Sequence, residues 1–149
     1  MTWTDLLNKK TVQTHTTSLS EIAALRAVVE RDLQDASLKD LSADRRFATA
    51  YNAALQLSQI ALACAGYRVK VGGGHHQKTF EAVRLAIAAP EVEDLADYFD
   101  LCRRKRNDID YDAAGIVSET DADELLAKTK EFQNLVEELI RKDYPQFAL

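Results

Sequence analysis

The densest polar run in the chain is Arg103-Arg104-Lys105-Arg106-Asn107-Asp108-Ile109-Asp110-Tyr111-Asp112, four cations followed at once by an amide and three carboxylates. Guanidinium groups fork onto phosphate oxygens and stay protonated at any working pH. The carboxylates can hold those cations in place, and left unpaired they repel phosphate. A second polar group, His75-His76, follows Gly72-Gly73-Gly74. Imidazole is the side chain that exchanges a proton near neutrality. Arg103, Arg106, His75 and His76 are therefore candidate ligand-binding residues.

A helix over 91–111 must carry the first group. Its front half holds Glu91, Glu93, Asp94, Asp97 and Asp100 and its back half the cations, an order that complements the helix macrodipole. The apolar stripe Leu95, Tyr98 or Phe99, Cys102 and Ile109 includes Arg106 at helical spacing, which turns that arginine inward, and Asp110 stands four residues from it. The stretch 67–76 reads as a mobile loop. Tyr67-Arg68-Val69-Lys70-Val71 alternates as a strand would but has no obvious partner, and the glycine spacing fits neither phosphate-binding fingerprint. Adjacent histidines diverge and have no third ligand nearby in sequence, so neither a metal nor another cofactor is expected.

The remaining chain is helical. Ser18 with Glu21 reads as a capping box opening a helix that ends near Ser37. Ser42 opens a second over 43–65, apolar nearly all round in its back half, as a central bundle helix would be, and Gly66 stops it. A short helix over 78–88 ends at Ala89-Pro90, and Ser118 with Asp121 opens the last, reaching about Lys142. The expectation is an all-α, up-and-down bundle of four or five helices over 18–149. An N-terminal arm over 1–17 carries a short helix near Trp3 and a solvent-facing His15. Cys64 and Cys102 read as buried thiols. A net charge of −5 argues against broad non-specific nucleic-acid binding while leaving room for a local basic site. No signal pattern and no long apolar run is present, so a cytoplasmic protein without membrane contact is expected.

The run Arg106-Asn107-x-Ile109-x-Tyr111 near the end of a bundle helix resembles the signature of the HEPN superfamily (higher eukaryotes and prokaryotes nucleotide-binding). The preceding central helix with Arg45-Arg46-Phe47-Ala48-x-Ala50-Tyr51-Asn52-Ala53-Ala54 and the paired histidines extend that likeness over roughly residues 18 to 142. The resemblance implies an all-α bundle, a homodimer whose motif helices face each other across a cleft, and RNA or a nucleotide as ligand. Many members are metal-independent ribonucleases, often toxins paired with a nucleotidyltransferase-like antitoxin. In active members the motif closes with His. Here Tyr111 stands in that place, and a phenol with a pKa of about 10 handles protons poorly at neutrality. The expectation is a non-catalytic domain that binds RNA, a nucleotide or a partner protein through Arg106, Asn107 and Tyr111. The alternatives are a divergent ribonuclease, with Arg106 and Tyr111 as the candidate catalytic residues, and a structural dimerisation bundle.

Overall fold

The computed structural model describes residues 1–111 and 115–149, with only the backbone of Asp110 and Tyr111. Its centre is α3 (Ala43–Cys64), capped by Ser42, whose hydroxyl accepts from the Arg45 N–H. Ala50, Ala53, Ala54 and Ala61 are fully buried along α3, and their small side chains let neighbours approach on several sides. α2 (Leu19–Ala36) and α6 (Glu119–Asp143) pack along it, and α4 (His75–Ala86) and α5 (Pro90–Tyr111) complete the bundle. The fold is all-α apart from one pair of two-residue strands.

One aromatic ring from each of four helices forms a chain through the core. Tyr51 on α3 meets Phe80 on α4 edge-on at 5.9 Å, Phe80 meets Phe99 on α5 at 5.8 Å, and Phe99 meets Phe132 on α6 at 5.3 Å. Tilted and edge-on pairs of this kind add about 0.5–1.5 kcal/mol each beyond the area they bury. Arg26 on α2 grips Glu137 on α6 through two 2.9 Å hydrogen bonds.

The stretch 67–76 differs from the loop expected of it. Tyr67–Arg68 forms β2, which pairs antiparallel with β1 (Gln13–Thr14), Gln13 opposite Arg68 and Thr14 opposite Tyr67. The partner strand comes from more than fifty residues upstream, so alternation within 67–71 could not reveal it. α1 (Trp3–Asn8) precedes β1 and is closed by a full capping box between Thr2 and Asp5. Leu6 and Val12 are buried against Leu62 and Ala82, and Trp3 stacks on Tyr67 at 4.0 Å.

His15 is not simply solvent-facing. Its Nε2 lies 2.7 Å from Glu21 Oε1, and its backbone N–H donates to Gly66 O. This contact also explains why the Ser18–Glu21 capping box is only half formed. Ser18 accepts from the Glu21 N–H, while the Glu21 carboxylate accepts from Thr17 and engages His15. Those hydrogen bonds hold the carboxyl below its usual range. Ser118 and Asp121 complete both halves of theirs at the start of α6. Gly66 and Gly115 adopt the left-handed backbone at φ +94° and +88°. Asp112, Ala113 and Ala114 lie outside the described residues. Both cysteines are buried free thiols, and burial pushes each up to about 11.

Candidate functional site

Gly74 sets up the site by taking the left-handed conformation (φ +75°, ψ 11°), so α4 starts at His75 and the paired histidines form its first turn. The helix was expected to begin three residues later. The His75 N–H and its Nδ1 both lie against Gly72 O, at 3.2 and 2.8 Å, and the buried Thr79 hydroxyl donates to His75 O. These bonds fix the first turn. His76 stands four residues before Phe80 and therefore shares its inward face. That register delivers the His76 ring to Tyr51 on α3, whose hydroxyl is 2.9 Å from His76 Nδ1. His75 lies edge-on to His76 at 4.3 Å.

The cations come from α5. Arg106 is half-buried with its guanidinium carbon 6.0 Å from the centre of the Tyr51 ring, at the outer edge of cation–π range. Arg103 donates to Asp100 one turn earlier at 2.9 Å. Asn107 is half-buried beside them. Lys105 points the other way and donates to Asp121 on α6, and Arg104 is exposed. The side chain of Tyr111 and the expected Asp110–Arg106 pair lie outside the described residues. The structure thus brings His76, Arg103 and Arg106 within electrostatic reach of Tyr51, a residue that the sequence marked only as part of the run 45–54 of the central helix. The spacing of His76 to Phe80 is the one sequence signal that pointed there.

Electrostatics follow from this packing. Burial first, then the charges of His75, Arg106 and Arg103, push His76 down to about 4. Burial drives the Tyr51 hydroxyl well above its ordinary value, against the opposing pull of Arg106 and Arg103. At neutral pH the cluster therefore holds a neutral imidazole, a protonated phenol and two guanidinium cations. When Tyr51 donates to Nδ1, the imidazole carries its own proton on Nε2 as a further donor. Among the described residues no group of three metal-ligating side chains occurs.

A stability consequence can be measured. Above the ordinary imidazole pKa of about 6.5, His76 is neutral in both folded and unfolded chains. As pH falls from there towards about 4, the unfolded chain binds a proton that the folded chain excludes, so stability falls; the loss is complete once the folded pKa is passed. Allowing for partial solvent screening, His76 should account for on the order of 1–2 kcal/mol of this loss. The difference between urea midpoints at pH 7.5 and pH 4.5 is expected to shrink in His76→Gln; an unchanged difference would remove the assignment.

A family model described as SAV_6107-like HEPN matches residues 36–137, more than half of the chain. The chain belongs to the HEPN superfamily. The HEPN match contains α3 through most of α6 and every residue of the cluster, whereas α1, β1 and nearly all of α2 precede it. Comparison with curated proteins and with solved structures gives no match. No helix among the described residues is long and apolar enough to cross a membrane.

Proposed function

We propose that this HEPN domain is a non-catalytic binding module that takes phosphate groups of RNA or of a nucleotide at the His76–Arg103–Arg106 cluster. The observation that carries the reading is a neutral imidazole, bonded to the Tyr51 hydroxyl, within electrostatic reach of the Arg106 guanidinium and of Arg103, which Asp100 holds. Guanidinium forks suit phosphate oxygens, and charge-assisted contacts contribute about 1.5–3 kcal/mol each. Binding is favoured over cleavage because His76, the imidazole bonded to Tyr51, is not tuned to neutrality. His76 sits at about 4, and general acid–base work is most efficient with a pKa near the operating pH.

The test is anisotropy of short labelled RNAs, with competition by nucleoside mono-, di- and triphosphates. Arg106→Ala is expected to weaken binding by about tenfold or more and to reduce its salt dependence. Equal affinity in wild type and variant would sink the reading.

The proximity of His76 to Arg106 favours one second reading, a metal-independent ribonuclease with His76 rather than Tyr111 moving the proton. The same incubations, run on a gel without added metal, separate the two. Cleavage lost in both His76→Ala and Arg106→Ala would make the domain an enzyme, and intact RNA keeps it a binding module. The homodimer implied by the resemblance would join two clusters, which light scattering of the same samples tests.

A further inference from the structure

The seam between α5 and α6, on the α6 side of α5 and away from the cluster, is open. The two helices are held together by Phe99 against Phe132 and by Lys105 with Asp121. Towards the α5 N-terminus two adjoining cavities of about 270 and 420 Å³ meet at Glu91. Their floor is apolar and made by Ile87, Leu95, Tyr98, Leu135 and Leu139. Their rim is acidic, with Glu91, Asp94, Glu131, Glu138 and Asp143 exposed along it against only Lys128 and Lys142. Among the described residues only Glu131 of these carboxylates has an ion-pair partner, Lys128 at 3.8 Å. From Lys128 to Asp143 the groove runs along α6 for roughly 22 Å, the length of about four helical turns.

We propose that this groove docks a basic amphipathic helix from a partner protein. An apolar floor between two helices accepts side chains at i, i+3, i+4 and i+7 spacing. The charge on the rim selects the occupant. Five carboxylates against two lysines repel nucleic acid and acidic lipid and attract lysines or arginines flanking an apolar stripe. The proposal does not depend on what the His76–Arg103–Arg106 cluster binds, because the two surfaces share no residue and have opposite charge.

The probe is a fluorescein-labelled synthetic helix of about 18 residues, with leucine at the spacing above and lysine elsewhere. It is titrated with the full chain at about 0.15 M salt to screen long-range attraction. The expected affinity is on the order of 10 µM. Glu131→Lys with Glu138→Lys, or Leu139→Asp alone, is expected to weaken it by about tenfold or more. Asp40→Lys, an exposed charge reversal between α2 and α3, is expected to leave it unchanged. Circular dichroism checks that each variant is folded, and the exposed glutamates are replaceable without touching the core. Absence of binding, equal loss in Asp40→Lys, or no loss in Glu131→Lys with Glu138→Lys would each overturn the proposal, the second by reducing it to bulk attraction.

Discussion

Arg46→Ala is expected to lower the unfolding free energy by about 3 kcal/mol, the lower end of what is lost when a buried ion pair is broken. Arg46 is among the largest fully buried side chains of the described residues, only 1% exposed. Its Nε donates to Ala36 O at 2.8 Å, its Nη1 to Glu119 at 2.7 Å and its Nη2 to Asp123 at 2.6 Å. One guanidinium thus ties the end of α2 and the start of α6 to α3. The carboxylates face water on one side, which keeps the expected loss at the lower end of the range. Removing the arginine strips the Ala36 carbonyl of its donor and opens a void under the α2–α3 turn. Asp123 is held below its usual range chiefly by Lys39, then by Arg46, so it would keep one cation partner. Arg46→Lys should recover only part of the loss, since an ammonium cannot serve three acceptors in a planar fork. The neighbouring Arg45 is exposed, and Arg45→Ala should change stability by no more than about 0.5 kcal/mol. Urea unfolding followed by far-ultraviolet circular dichroism decides the matter. Matching midpoints for the Arg46 and Arg45 variants would mean that the buried fork contributes nothing.

Leu6→Ala is expected to cost about 3 kcal/mol, although Leu6 precedes the family match by thirty residues. Leu6 is fully buried in a satellite core with Val12, Leu62 and Ala82. The backbone around it closes on itself, since the N–H groups of Thr11 and Val12 both donate to Leu6 O. There is little room for the turn to collapse into the space a shorter side chain would leave, and the cost of such a truncation grows with the cavity that remains. A loosely attached arm would tolerate the change with a loss under about 0.5 kcal/mol. The same urea titration distinguishes the two, with Val71→Ala as a control because Val71 is 85% exposed.

Local rules were enough for most helix boundaries. Ser42 and Ser118 are the caps that their hydroxyls and following residues announce, Pro90 opens α5, and Gly66 takes the left-handed turn after α3. What could not be read depends on partners distant in sequence. The strand pairing of Thr14 with Tyr67 joins segments with no shared local signal. The fork from Arg46 reaches α6 residues more than seventy positions away. The stripe argument sent Arg106 inward, and the structure makes it half-buried while Arg46 takes the fully enclosed position. Periodicity reports which face of one helix is turned inward, and not how completely the neighbouring helices cover each residue on it. His76 was recognised by residue type, but its proximity to Arg103 and Arg106 required knowing where α4 begins.

Trp3 is the chain's only tryptophan, and its ring lies flat on Tyr67 at the edge of the small strand pair. Its emission therefore reports one event, the seating of α1 on the bundle. Helical circular dichroism is dominated by the five longer helices. Following both signals through one denaturant titration separates detachment of the first segment from melting of the bundle. The protein carries its own optical probe at the boundary where the family match gives no guidance.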